Sequence, residues 1–146
     1  MRTQSRPFTV LALIGCLLFL SISGMAGGIG ILMDPSGASL SLPDDLLVGL
    51  PIDTFMLPGL YLVLVYGLVS LVIAYGLWKQ APWAWGAAVV LSIILLGWII
   101  GQVILWGSPH IFQIVYFVLG LAMLILSLTP ATRVDQQQHT ESYGRE

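Results

Sequence analysis

The polar side chains that could do chemistry within the apolar part of this chain gather around one short turn. Gln102 precedes the stretch "WGSPH", residues 106–110, and Gln113 follows it. If helices flank the turn, a rise of about 1.5 Å per residue places both amides at matching depth, about 8 to 9 Å from its apex. A buried amide needs a partner. We therefore predict that Gln102 and Gln113 hydrogen-bond each other or line one polar pocket.

His110 and Trp106 complete this candidate polar pocket. His110 lies three residues before Gln113, so both occupy one side of a helix. A lone histidine without further ligands at helical spacing does not make a metal site. We expect the amides to hold helices together, with a ligand-facing role as the alternative. We expect no catalytic, cofactor-binding or metal-binding residue.

The composition requires a membrane location. Hydrophobic residues make up 58% of the 146 residues, charged residues only 8%, and the mean hydropathy is +0.96. A soluble domain has about 25% charged residues. Three long intervals are free of Asp, Glu, Lys and Arg, and the third is long enough for two helices of about 20 residues. The sequence therefore predicts an all-α fold, a four-transmembrane-helix bundle with spans near residues 8–31, 57–78, 82–106 and 110–128.

The charge-free spans argue against several classes of function. Proton-coupled transporters need a titratable group along the transport path, and no such acid or base lies in these spans. A membrane thiol oxidoreductase needs paired cysteines, whereas Cys16 is the single cysteine. No basic nucleic-acid patch or phosphate-binding glycine loop is present. We therefore expect neither an enzyme, a cofactor nor a nucleic-acid partner.

The distribution of charges predicts the topology. With four spans, all five basic residues fall on one side, and four of the seven acids fall between the first two helices. Because Lys and Arg are retained on the cytoplasmic side, both termini should be cytoplasmic and loop 32–56 should lie outside. The tryptophans at 78, 83 and 85 suit the headgroup level. Residues 1–28, with small residues near Ala26, also resemble a secretory signal, and "LIGC" resembles a lipoprotein processing site. The long apolar run nevertheless favours an uncleaved helix.

Outside the spans, the loop and the tail have different compositions. In "SLPDDLLVGL", Ser41 precedes Asp44 by three residues, which is the spacing of a helix-capping box. We predict a short helix there, lying on the outer surface, and a turn at Asp34. Residues 129–146 are polar and should form a disordered cytoplasmic tail. Residues 1–128 should form a single transmembrane domain.

Small residues four apart predict where helices pack, because lipid supplies no hydrophobic drive and helices associate by close backbone approach. Such pairs occur in three of the predicted helices. We assign all of them to contacts within the chain rather than to an intermolecular dimer. The pairs are Gly24 and Gly28, Ser70 and Ala74, and Gly97 and Gly101.

Two stretches of the sequence resemble known membrane proteins. The stretches "DPSGASLSLPDDLL" and "PGLYLVLVYGLVSLVIAYGLWKQAPWAW" resemble a group of uncharacterised small four-helix bacterial membrane proteins, over about residues 27–128. The layout is remotely similar to the DoxX-like family, some members of which are linked to respiratory or redox assemblies. The resemblance implies the four-helix fold but brings no catalytic residue to this chain.

Two functional hypotheses follow. The first is a non-enzymatic accessory or assembly subunit, whose partner is another membrane protein or a second copy of the chain. The second is a carrier or binder of a hydrophobic small molecule or lipid, with an outward-facing pocket near Gln102 and Gln113. A carrier should have a cavity between helices lined by these amides, and a subunit should expose a side rich in small residues. Membrane lipid is a partner in either case.

Overall fold

The computed structural model describes residues 6–107 and 109–133, apart from the side chain of Asp44. The fold is all-α, and these residues contain no strand. Four helices are long and apolar enough to cross a membrane: α1 (Phe8–Met33), α2 (Met56–Trp78), α3 (Pro82–Trp106) and α4 (Ile111–Leu128). The described residues form two compact units, one made of Leu18–Leu71 and the other of the described residues before and after that segment.

A helix is present at each of the four predicted spans, with ends that agree to within two residues. Local chemistry explains the ends of α3. Pro82 occupies the first turn, where its missing amide hydrogen costs nothing. Gly107 caps the other end with a φ of 77° and donates its amide to Val103 O. This left-handed conformation suits glycine, which has no Cβ to clash.

Helix α2 contains a feature that the sequence analysis did not predict. Leu62–Val69 forms a π-helical segment between two α-helical parts. At its end, the amide of Ser70 donates to Gly67 O, and the hydroxyl of Ser21 on α1 donates to the same carbonyl at 2.8 Å. π-Helical turns are rare, and the side-chain bond helps to satisfy the altered backbone here.

Within the Leu18–Leu71 unit, α1 and α2 approach closely through glycines. A Cβ atom at Gly24 would lie 2.8 Å from Tyr66 Cβ, and one at Gly28 would lie 2.7 Å from Gly59 O. Such distances leave no room for a side chain. The predicted role of Gly24 and Gly28 in packing within the chain is therefore confirmed.

In the other unit, α3 and α4 form an antiparallel pair. At one end of the pair, Trp85 Nε1 donates to the backbone oxygen of Ser127 at 2.6 Å. In the middle, Gly120 faces Leu96, whose Cδ2 lies 3.0 Å from the position of a Cβ at that glycine. Leu95 and Met123 are buried beside this contact. Helices α3 and α4 are therefore in contact both at this end and in the middle of the pair.

The segment between α1 and α2 differs in detail from the prediction. The expected short helix is present only as a 3₁₀ turn at Asp44–Leu47, and a second 3₁₀ turn lies at Ala38–Leu40. The predicted capping box is wrong. Ser41 ends the first turn in a left-handed conformation with a φ of 53°, and Pro43, which has no capping side chain, precedes the second turn.

The predicted turn at Asp34 is confirmed. The amide of Gly37 donates to Asp34 O at 2.9 Å. The Asp34 carboxylate accepts bonds from the Ser36 hydroxyl at 2.6 Å and from the Ser39 amide at 2.9 Å. These bonds, the Ser36 hydroxyl foremost, hold the pKa of Asp34 below its usual value, because they favour the charged form. The ionised carboxylate thus organises the beginning of the loop.

The beginning of the predicted tail is structured. The Thr132 side chain is fully buried, and its hydroxyl donates to Leu126 O at 2.8 Å. Thr132 Oγ1 also lies 3.2 Å from Thr9 Oγ1 at the start of α1. Residues 134–146, to which the prediction of disorder also applied, lie outside the described residues, as do Arg2 and Ser108.

Two neighbouring glycines in α1 provide a matched test of the α1–α2 contact. A Cβ at Gly28 meets Gly59 O and Val63, whereas one at Gly27 meets nothing within 4 Å. We expect Gly28→Ala to lower the free energy of unfolding by about 1 to 3 kcal/mol, as overpacking does. Gly27→Ala should not lower it, since alanine is the better helix former at both positions. Unfolding in mixed micelles, followed by circular dichroism, measures both. Equal stability of the two variants would contradict the contact.

Candidate functional site

The end of the α3–α4 pair nearest the turn at residues 107–110 brings the two predicted glutamines together. Gln113 Nε2 donates to Gln102 Oε1 at 3.4 Å. Gln113 is buried, and Gln102 is half-buried. The predicted contact between the amides is confirmed. Because the bond joins two helices, it fixes their register at this depth.

Gln113 also organises the start of α4. His110 is the N-cap residue, and its backbone amide donates to Gln113 Oε1 at 2.9 Å. This bond is one half of a capping box, in which the side chain of the third helical residue accepts a hydrogen bond from the backbone amide of the N-cap residue. That amide has no acceptor within the helix. One side chain therefore caps α4 through its oxygen and reaches α3 through its nitrogen.

Beside this amide pair, an open groove of about 280 Å³ runs between α3 and α4. Gln113 contributes to its wall, but the rest of the lining is apolar. The other lining residues are Ile99, Ile100, Val103, Ile104, Pro109, Ile114 and Phe117.

The four predicted pocket residues thus have different positions. Gln113 lines the groove, and Gln102 is bonded to it from α3. His110 is exposed at the start of α4, and Trp106 is half-buried at the end of α3. The lining of the groove includes neither His110 nor Trp106. Of the two amides, one lines the groove and the other lies beside it. The groove itself is more apolar than the polar pocket that the sequence predicts.

The prediction that Gly97 and Gly101 pack inside the chain is wrong. Among the described residues, a Cβ atom at either position would meet nothing within 4 Å. Helical geometry places Val90, Ile93 and Ile104 on the same side of α3, and their side chains are 55%, 56% and 76% exposed. The buried residues of α3, such as Ala88 and Leu95, lie on the opposite side. Spacing alone cannot show which side of a helix the neighbouring helices cover, so the sequence did not distinguish this pair from Gly24 and Gly28.

The middle of α2 holds two tyrosines and a serine, of which the sequence analysis names only Ser70, as a packing residue paired with Ala74. Ser70 is fully buried, and its Oγ has no hydrogen-bond partner. Tyr66, also buried, has its hydroxyl 3.3 Å from that of Tyr61, and the two rings meet edge to face. The signal for this cluster was the presence of two tyrosines and a serine within an apolar span. Without the π-helical segment, however, their grouping could not be derived.

The chemistry available at the α3–α4 groove is limited to apolar contact and amide hydrogen bonds. No residue in its lining titrates near neutral pH. Among the described residues, no group of three or more His, Cys, Asp or Glu side chains could hold a metal ion. Both amides are already paired, so a molecule in the groove would be held mainly by its apolar surface.

The fold and this site define the class: the chain is a multi-pass helical membrane protein with four candidate spans. It belongs to the family described as "Predicted membrane protein (DUF2127)", whose model matches residues 31–129, more than half of the chain. The matched region agrees with the part of the chain on which the resemblance to small membrane proteins rests. A search of curated proteins and a search of solved structures each found no match.

A double-mutant cycle tests the amide pair. We expect Gln102→Leu and Gln113→Leu to be coupled by about 0.6 kcal/mol, the usual value for a polar contact between membrane helices. Gln113→Leu should cost about 1 kcal/mol more than Gln102→Leu, because it also removes the cap of α4. Free energies of unfolding of both single variants and the double variant in mixed micelles give the coupling. Strictly additive effects would show that the amides do not interact.

Proposed function

We propose that this protein is a non-enzymatic accessory or assembly subunit that packs against another membrane protein through one side of α3. The observation that supports this proposal is the open space above Gly97 and Gly101. Glycines four apart let the backbone of a second helix approach closely, and within the described residues nothing occupies that approach. The charge-free spans fit a role in binding rather than in proton or electron transfer.

Copurification from native membranes tests the subunit hypothesis. We expect the wild-type chain to retain a membrane-protein partner and Gly97→Leu/Gly101→Leu to lose it by about tenfold in affinity or more, equivalent to ~1.4 kcal/mol. Gly15→Leu is the matched control, because Gly15 on α1 also faces open space. Mass spectrometry identifies the partner, and coexpression of two differently tagged copies detects self-association.

Two results would refute this hypothesis. The first is a wild-type chain that retains no protein, and the second is a partner that remains bound to Gly97→Leu/Gly101→Leu as it does to Gly15→Leu. Both substitutions place a side chain in open space, so a general loss of folding should not separate them. A melting temperature for each purified variant verifies this point.

A second candidate function is the binding or carriage of a hydrophobic small molecule or lipid. The groove between α3 and α4, with Gln113 in its wall, favours this candidate. The same copurification tests it. Lipid extracts of the wild type should contain a bound molecule. Val103→Trp should lose this molecule, because the larger side chain fills the groove. Val118→Trp is the control, because Val118 is exposed on α4 outside the lining. Equal retention by both variants would exclude the groove as the site.

We further propose that both termini face the cytoplasm and that loop 32–56 lies outside, in a bacterial cell membrane. Arg6, Lys79 and Arg133 lie at helix ends away from the aspartates of the loop along the chain. In a chain with Cys16 replaced by alanine, an impermeant maleimide should label Ser39→Cys in intact cells. Ala81→Cys should require permeabilised cells. The reverse pattern would overturn the orientation. We also propose, on the similar four-helix layout, that this protein is remotely related to the DoxX-like family.

A further inference from the structure

Three basic side chains of the described residues each lie over an aromatic ring. Arg6 Cζ is 4.4 Å from the centroid of the Trp78 ring, and Arg133 Cζ is 4.9 Å from that of Trp85. Lys79 Nζ lies 5.7 Å from the Tyr75 ring. All three distances fall within the range of cation–π attraction, about 6 Å. The rings hold the cations in place but do not cancel their charge.

These cations belong to chain segments that meet within one compact unit. Thr9, at the start of α1, contacts Thr132, which precedes Arg133. Trp85, below Arg133, donates its indole hydrogen to Ser127 O near the end of α4. The end of α2 packs on the start of α3, where a Cβ at Gly76 would lie 2.7 Å from the Trp83 ring. We call this surface, with Arg6, Lys79 and Arg133, the basic end.

Within this unit, no carboxylate of the described residues is available to neutralise the basic end. Residues 6–17 and 72–133, apart from the undescribed 108, contain neither Asp nor Glu. Arg6 Nη1 is buried and has no hydrogen-bond partner among the described residues, while the Arg6 side chain as a whole is only half-buried. A guanidinium that is partly deprived of water gains from an anionic acceptor, and its planar fork suits two oxygens of a phosphate.

We propose that the basic end is a binding site for the headgroup of an anionic phospholipid. The lipid phosphate accepts hydrogen bonds from Arg6 and Arg133, and Lys79 adds a point charge at the rim. Trp78 and Trp83, which are 52% and 51% exposed, lie beside these cations as interfacial tryptophans lie at the headgroup level. The exposed apolar sides of the adjoining helices accept the acyl chains. This combination favours a lipid over free phosphate.

Native mass spectrometry of the full chain tests the site. The purified protein is titrated with phosphatidylglycerol and, separately, with phosphatidylcholine of the same acyl chains. We expect the wild type to prefer phosphatidylglycerol and Arg6→Gln/Arg133→Gln to bind it about tenfold more weakly, since each basic group near a membrane surface contributes to the attraction of anionic lipid. Unchanged binding of phosphatidylcholine shows that the variant is folded.

Two further variants separate a built site from general attraction. Arg2→Gln/Arg145→Gln removes the same net charge at positions outside the described residues and should keep the preference. Arg6→Lys/Arg133→Lys keeps the charge and should weaken phosphatidylglycerol binding less than the glutamine variant, because the ammonium lacks the fork. The proposal is overturned if the glutamine variant binds as the wild type does, or if Arg2→Gln/Arg145→Gln loses as much. Displacement of the lipid by inorganic phosphate would identify free phosphate as the ligand instead.

Discussion

The exclusion of ionic charge from hydrocarbon is the constraint on which this structure depends. A charged side chain at the bilayer centre costs roughly 2.5 to 3.5 kcal/mol on insertion scales, so the spans contain none. The described cations and carboxylates consequently lie at the ends of helices and in the segment between α1 and α2. With no ion pairs inside the spans, specificity has to come from backbone approach and neutral hydrogen bonds.

Neutral hydrogen bonding inside the spans is mostly local. The hydroxyl of Ser92 donates to Ala88 O, and that of Ser127 donates to Met123 O, each four residues earlier in the same helix. Such bonds satisfy the hydroxyl without joining helices. The bonds that cross between helices are therefore informative: Ser21 reaches the end of the π-helical segment, Trp85 reaches Ser127 O, and Gln113 reaches Gln102. Each fixes a pair of helices at a particular depth.

The spans and the glutamine contact could be predicted from sequence because both follow from one-dimensional rules. Charge spacing determines where a helix can lie in lipid, and rise per residue determines which residues share a depth. The role of the glycines could not be predicted in the same way. Gly28 and Gly101 look alike in sequence, yet one contacts Gly59 O and the other faces open space.

The loop and α2 show a second limit of sequence reasoning. Ser41 has the correct spacing for a cap, but the flanking prolines and the left-handed backbone at Gly37 and Ser41 make two tight 3₁₀ turns instead. At the π-helical segment, the carbonyl of Gly67 accepts a bond from Ser21 on another helix, α1. A pattern read along one helix does not contain that information.

Ile104 is shared by two surfaces of α3. Its side chain forms part of the groove wall, and it stands on the same side of the helix as Gly97 and Gly101. A helix seated on those glycines would press on a residue that also borders the groove. Occupancy of either surface would then alter the affinity of the other by an equal factor, as thermodynamic linkage demands. Occupancy of the groove and packing of a second helix on Gly97 and Gly101 would then be coupled through a single side chain.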